Sequence, residues 1–570
     1  MFHMRRIIHA PHCRSGVDWP HDMRHSVLRV ASLAAICLLS GVAGAQYSLY
    51  AGFPTTSTAV GANLTEPFAA MTFDHAGNMY GTTYHGGPYN ANGGGSLWKI
   101  EPSGEVVALH HFGGTTTDSN GKSGPDGLEP TCAVFVDDAG NLFGTAEYGG
   151  ANGYGIVWEF TEAGQYKDIH DFGGKVKLSN GSTEADGSIP NAGVTMDGAG
   201  NLFGTTEGGG PSGASNGVGI VWVIKAGGQY EIVHAFGGTI VNANGKSGPD
   251  GAEPTAQIVF DSKGDMFGTT GRGGPNGSGS PAGDGMIWEI TKQGVYKDLH
   301  DFGGQVLNAN GKPGPDGSWP GTPVLDRNGN LFGVTGQGGP NSGWAPGGVL
   351  WDVSAGGSYR DLHDFGGTVV NSDGRSGPDG QLPTGQIVID AKGNLFGTAF
   401  AGGGGSGSSG VIWERTSAGA YLDLHDFANQ QVTLTDGVLG YDGQAPVGVA
   451  LDPYGNLAGL CQAGGQSAPG MVWILSGGVT ALTLSPSSVT GGETANATIS
   501  LATPAPAGGL TLKLTSSTSD AKVPADISVP AGKATATFHV TTTKVTKAVS
   551  ATIKASFGSV AKSVTLQITP

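Results

Sequence analysis

The sequence predicts an all-β chain, a seven-bladed β-propeller followed by an immunoglobulin-like β-sandwich. Three observations carry this reading. The segment Gly140-Asn141-Leu142-Phe143-Gly144-Thr145 recurs in seven variants whose third positions follow Asn78, Asn141, Asn201, Asp265, Asn330, Asn394 and Asn456, at intervals of 63, 60, 64, 65, 64 and 62 residues. A period this regular marks one supersecondary unit that buries its apolar face only against its neighbours. Each unit shows short alternating runs divided by Asx-Gly turns, with no 3.6-residue apolar period over ten residues. From about residue 480 the repeat stops and Thr, Ser, Val and Ala replace glycine, in the pattern of a sandwich of ~90 residues.

The second repeat gives the elements in order. Thr131–Asp137 is a β-rich run, ended by the turn Asp138-Ala-Gly-Asn141. Leu142–Ala146 follows, then a Gly-rich loop to Gly155, a third run Ile156–Thr161, the turn Glu162–Gln165, a fourth run Tyr166–Phe172 and a polar loop to Pro190. Four antiparallel strands per unit is the content of a propeller blade; a β-solenoid, whose coils are usually shorter, is the alternative. Strand-four copies with His-x-Phe occur at His110, His170, His234, His300, His363 and His425, leaving the seventh unit without one. Tyr47–Phe53 has the missing Tyr-to-Phe spacing, so the N-terminal strand is expected to complete the last blade beside Met471–Leu475 and remove an open edge.

Arg24, Arg29, the apolar run Val30–Leu39 and Ala43-Gly44-Ala45 read as an export signal cleaved after Ala45, with Met23 an alternative start. The expected domains are a signal peptide over 1–45, the propeller over 46–478 and the sandwich over 479–570. No later apolar run reaches the ~18–20 residues of a membrane span. Removing residues 1–45 leaves 24 basic and 44 acidic residues, a net charge of −20, which argues against nucleic acid as a partner. Cys132 and Cys461 lie at different positions of non-adjacent repeats and are expected as free thiols.

Residues present in every copy read as structural. Trp98, Trp158, Trp222, Trp288, Trp351, Trp413 and Trp473 are expected between blades, and the six histidines as hydrogen-bonded residues of the outer strand. Asp-Gly-x-x-Pro, at Asp126, Asp186, Asp250, Asp316, Asp379 and Asp442, fits Asx-turns leading into strand one. The loops holding Asn242, Asn244 and Asp250, then Asn308, Asn310 and Asp316, offer hard oxygen ligands and are the calcium candidates; no other cofactor is expected.

Function is sought where copies differ. The loops after strands two and four are long, variable and on one rim, where rigid scaffolds place binding groups. Two tryptophans of the repeat region lie outside the repeated set, Trp319 and Trp344, both in loops of the fifth unit. With Tyr148 and Gln337 they form the expected ligand-binding group, flat aromatic surface suiting a sugar ring. At equivalent positions after strand two stand Tyr84-His85, Glu147-Tyr148, Glu207 and Arg272. Glu147 and Glu207, on adjacent blades, could serve as the carboxylate pair of a glycoside hydrolase. Tyr84, His85 and Arg272 could serve a polysaccharide lyase.

The Asp-x-x-Gly-Asn-Leu-Phe-Gly-Thr-Thr core, the Gly-Gly pair, the Val-Trp-Glu strand and the His-x-Phe strand closely resemble the GloVer tandem repeat of secreted and surface-anchored bacterial proteins, over about residues 47–476. That resemblance implies secretion and brings no activity to carry over. Residues 479–570 resemble bacterial immunoglobulin-like modules. The expected function is a secreted or cell-surface binding protein, monomeric and without catalysis, that engages an extracellular glycan or cell-surface component. A polysaccharide-active enzyme is the alternative.

Overall fold

The computed structural model describes residues 45–570 apart from segments 53–63, 90–93, 118–120, 179–180, 212–216, 243–244, 277–283, 342–346, 371–375, 404–408, 428–430, 434–438, 466–469, 502, 507–508 and 558–559. The export signal over 1–44, Asn244 and Trp344 lie outside the described residues. Among those described, every regular element is a strand, and no helix is long and apolar enough to cross a membrane.

Each repeat forms one antiparallel sheet in chain order. In the second it runs Phe135–Val136, Leu142–Ala146, Ile156–Phe160 and Tyr166–Asp171. The glycine of Leu-Phe-Gly-Thr lies opposite the repeated tryptophan on strand three, Gly144 against Trp158 and Gly204 against Trp222. The indole covers that glycine. A Cβ would stand 2.4 Å from the ring at Gly81 and Gly144, 2.3 Å at Gly204, Gly268, Gly333 and Gly397, and 2.2 Å at Gly459. All seven tryptophans are fully buried.

The cores lie between repeats, as the sequence predicts from the tryptophans. Leu97 and Phe112 of the first repeat pack with Leu142, Ile156 and Trp158 of the second. Phe143, Val157 and Phe172 then pack with Leu202, Ile220 and Trp222 of the third. The series continues to a core joining Met79, Trp98 and Ile100 of the first repeat with Leu460, Val472 and Ile474 of the seventh. Ala45–Gly52 pairs antiparallel with Met471–Gly477, Tyr47 opposite Leu475. The expected N-terminal strand thus supplies the outer strand of the last sheet.

Three local readings are corrected. Strand one of the second repeat is only Phe135–Val136, not Thr131–Asp137. The reason is that carbonyls in this segment are used between repeats, Cys132 by the Thr82 hydroxyl at 3.2 Å and Val134 by that of Thr72 at 2.5 Å. The polar loop after strand four contains a further hairpin, Lys175–Lys177 against Thr183–Ser188. Asp-Gly-x-x-Pro is not an Asx-turn. Asp126 accepts from His110 Nε2 at 3.0 Å and from the Gly113 amide at 2.8 Å, while the Tyr166 hydroxyl donates to its main-chain carbonyl and the ring stacks on His110 at 4.0 Å. The same latch recurs at His234, Asp250 and Tyr296, and at His300, Asp316 and Tyr359. The Asx-turn is instead Asp137-to-Asn141, where the Asp137 carboxylate accepts both the Ala139 and Asn141 amides. Asn141 also accepts from the Glu162 amide, tying the two tight turns together at one end of the sheet.

Residues 479–570 form two sheets around one core that includes Leu482, Ile499, Phe538, Leu512, Ile553 and Leu566. This module meets the tight-turn end of the seventh repeat. Asn456 accepts from the Thr503 hydroxyl at 2.9 Å and donates to the Pro504 carbonyl at 3.1 Å. Cys132 and Cys461 are buried free thiols, as expected.

Gly204→Ala should force the Trp222 ring aside and destabilise the chain by about 1–3 kcal/mol, and Trp222→Ala by about 3–5 kcal/mol. Both would appear as a lower urea midpoint. An unchanged midpoint for Gly204→Ala would contradict the contact.

Candidate functional site

Opposite the tight turns, each repeat begins with a residue held before a buried proline. Glu66, Glu129, Ile189, Glu253, Trp319, Leu382 and Ala445 all have φ between 52° and 59°. Non-glycine residues rarely occupy this left-handed region. The proline after it packs tightly on the preceding repeat: a Cβ at Gly95, which opens strand three there, would stand 2.5 Å from Pro130 Cδ, and Gly470 meets Pro67 in the same way. The backbone therefore repeats while the side chain at this position is free to vary. It stands beside the end of strand two, since Glu129 accepts the Glu147 amide and Glu253 the Gly271 amide.

On repeats one to four this belt is polar apart from Ile189, and its polar groups pair with one another. The Tyr84 hydroxyl donates to Glu129 at 2.7 Å. His85 Nδ1 lies 3.0 Å from Glu66, and Asn191 donates to Glu207 at 3.1 Å. Arg272 Nε lies 3.0 Å from Glu253. Glu147 is buried and its carboxyl is pushed up to about 8 by desolvation, with Glu129 and Glu207 raising it further against the Thr131 side chain, which lowers it. Glu207 is raised by burial and lowered by Arg272. Burial also pushes the Tyr84 phenol well up, with Glu129 adding to it. Tyr148 is pushed up to about 12 by desolvation, with Glu147 the next cause. These shifts tie Glu129, Glu147, Glu207, Tyr84 and Tyr148 into one electrostatic cluster. Arg272 joins it through Glu207.

The belt turns apolar at the fifth and sixth repeats. Trp319 is half-buried, with the Arg272 guanidinium 5.4 Å from its ring centroid, and its ring is the nearest side chain to Gly271. It therefore packs on the preceding repeat. Half-buried Leu382 and Phe400 follow at matching places. Gln337 pairs through its backbone with Ser318 and is also half-buried.

The sequence-predicted residues thus divide. Glu147, Tyr148, Glu207, Tyr84 and Arg272 are brought together, and Trp319 joins them through Arg272; His85 is turned to Glu66. Glu129 and Glu253 were missed. Their signal is the residue before proline in Asp-Gly-x-x-Pro, the one position of that box where the copies differ in charge. Of the calcium candidates, Asn242, Asn308, Asp250 and Asp316 are engaged within the chain. Asn242 donates to Asp301 at 2.6 Å and accepts the Lys246 amide, Asn308 accepts the Asn310 and Lys312 amides, and Asp250 and Asp316 serve the histidine latches. Among the described residues no three or more His, Cys, Asp or Glu stand together as a metal-holding group. An open groove of about 620 Å³ at the tight-turn end, lined by Asp197, Lys225, Glu231 and Lys292, lies away from this chemistry.

Because the Glu147 carboxyl lies above its ordinary 4.5, it contributes stability fully below pH 4.5 and loses it as pH rises through about 8. Glu147→Gln stays neutral throughout. Its melting temperature should match the parent near pH ~4, exceed it increasingly as pH rises to ~8, and keep a level advantage above that. A constant difference across the range would count against the buried carboxyl.

Two crystal structures of an S-layer protein are similar to this chain. One, SbsC domains 4 and 5, is 14% identical over 33% of this chain and 92% of that chain, with a TM-score of 0.13. The other, rSbsC(31-844), is 11% identical over 69% of this chain and 49% of that chain, also with a TM-score of 0.13. Overlap this low carries no argument. A comparison with curated proteins finds no match. The Gloeobacter/Verrucomicrobia repeat model matches residues 40–248 and 240–473. Those spans contain every copy of the Leu-Phe-Gly-Thr strand and its covering tryptophan, and the chain belongs to the Gloeobacter/Verrucomicrobia repeat family.

Proposed function

We propose that the chain is a secreted or cell-surface binding protein whose proline-anchored belt engages an extracellular carbohydrate. In this reading residues 46–478 close as a seven-bladed β-propeller, supported by the core shared between first and seventh repeats and by the pairing of Ala45–Gly52 with Met471–Gly477. Residues 479–570 are an immunoglobulin-like sandwich, supported by two sheets on one core. The leader over 1–45 exports a monomer that carries no nucleic-acid surface.

The proposal is carried by the division of the belt into an arc on repeats one to four that is rich in carboxylates and phenols, Ile189 apart, and an aromatic, apolar arc on repeats five and six. A sugar presents the same two chemistries, hydroxyl edges and an apolar ring face. Tyr84, His85, Asn191 and Arg272 are each held by a carboxylate, which preorganises a hydrogen-bonding surface and leaves none of them poised as a free base. The acidic arc favours neutral glycans over polyanions. A glycan array probed with the secreted chain should show retention of neutral polysaccharides. Trp319→Ala should weaken it ~5-fold, the equivalent of about 1 kcal/mol for one ring. Absence of any glycan retention by the folded chain would remove the proposal.

One observation favours the enzyme as second reading. A carboxyl raised to about 8 beside a second carboxylate is the asymmetry of a glycosidase acid and its partner. Release of soluble sugars from a retained polysaccharide, lost in Glu147→Gln while retention persists, would establish it.

A further inference from the structure

Strand four carries a second repeated pair that the belt does not use, Asp-x-His-Asp, at Asp168 and Asp171, Asp298 and Asp301, Asp361 and Asp364, and Asp423 and Asp426. Residues three apart on a regular strand face opposite ways. Here a bulge intervenes. Leu350 pairs with His363 and Trp351 with Asp361, so Leu362 drops out of register. Asp361 and Asp364 therefore come together, and each feels the other as a neighbouring carboxyl.

In the second repeat the Asp171 carboxylate accepts the Ala151 amide at 2.8 Å, just after Gly149-Gly150. The fourth and fifth repeats have Pro275 and Pro340 at that place, and proline has no N–H to give. In the fourth repeat one oxygen of each aspartate, Asp298 Oδ2 and Asp301 Oδ1, is buried with no donor in bonding geometry, and in the fifth both oxygens of Asp361 and both of Asp364 are. Asp361 is 7% exposed, Asp364 5% and Asp301 4%. The His363 and Ala309 amides lie near enough to lower Asp361 without meeting bonding geometry, and Asn308 faces Asp364. Buried carboxylate oxygens need a counter-charge or a donor.

A proton shared between Asp361 and Asp364 would satisfy one oxygen on each and leave the other two to the Asn308 side chain and the His363 and Ala309 amides, which stand close but outside good bonding geometry. A cation would engage both groups. Nitrogen and sulfur ligands are lacking at the pair, because His363 Nε2 is turned to Asp379 at 3.0 Å and both cysteines of the described chain are elsewhere. Oxygen-only donors in irregular geometry suit calcium, which completes its shell with carbonyls and water.

We propose that Asp361 and Asp364 bind a calcium ion on the outer strand of the fifth repeat, and that Asp298 and Asp301 form a second, equivalent site on the fourth. These differ from the residues that the sequence offered to calcium. Asn242 and Asn308 become supports, reaching Asp301 and Asp364 from the loop of the preceding repeat.

The test is calorimetric titration of the EGTA-stripped secreted chain with calcium chloride, beside melting curves in EGTA, in 10 mM calcium and in 10 mM magnesium. The expected result is two sites with a Kd on the order of 10⁻⁴–10⁻³ M, as in extracellular modules, and a Tm raised by calcium by roughly 2–4 °C. Asp361→Asn keeps the shape and removes charge. It should lose one site and leave the Tm in EGTA unchanged or higher. A parent chain that shows no calcium heat and one Tm in all three solutions overturns the proposal in favour of a shared proton, whether or not the variant folds. Equal shifts with magnesium overturn the calcium assignment.

Discussion

Everything in the repeat depends on one cross-strand contact, an indole laid over a residue with no side chain. Strand two must carry glycine because strand three carries tryptophan opposite, and a single methyl on the glycine would meet the ring at 2.2–2.4 Å. The tryptophan then extends into the next layer and fills the space between neighbouring sheets. Five of these indoles, at positions 158, 222, 288, 351 and 413, have no acceptor for their N–H. They are kept for area and shape, which suits a ring large enough to dominate a core. The threonine after the glycine completes the joint, Thr145 donating to the Ala192 carbonyl of the next repeat at 2.9 Å. One short segment, Leu-Phe-Gly-Thr, thus serves burial, clearance and cross-linking together.

The polar seam follows from the apolar one. With the layers fixed, the histidine of one sheet, the loop aspartate and the tyrosine of the next sheet stack and bond in series. That latch sets where the Asp-Gly-x-x-Pro box lies, and the box sets where the residue before proline points. A left-handed backbone occupied by Glu, Ile, Trp, Leu or Ala has no intrinsic reason to be there. The conformation stands between two fixed points, the packed proline after it and the latch before it. The repeat therefore holds constant everything about this position except its chemistry, and an asymmetric surface can arise on a symmetric support.

The period, the seven tryptophans, the two free thiols and the pairing of the N-terminal strand were legible because each depends on spacing along the chain. Tyr47 opposite Leu475 follows from a missing outer strand at one end and a spare one at the other. Half of the belt was legible too, since Glu147, Glu207 and Arg272 stand at equivalent places. Glu129 and Glu253 were not, because nothing in a sequence shows that the residue before a proline turns left-handed there. The acidic pairs of strand four were hidden for a similar reason. Alternation separates Asp361 from Asp364, and only the bulge at Leu362 reunites them. Thr131–Asp137 read as a full strand because its residues favour one. Its carbonyls, however, are claimed by threonines of another repeat, which no local pattern records.

The strand formed by Ala45–Gly52 is the earliest of the described elements to be synthesised, and its partner, Met471–Gly477, comes more than 400 residues later. Contacts of such separation form late, because the chain between must first be brought to order. Until then the last sheet lacks its outer strand and offers an open edge to any extended segment nearby. The earliest of the described strands is thus among the last to be paired, and the seventh sheet is complete only when two strands so distant in the chain meet.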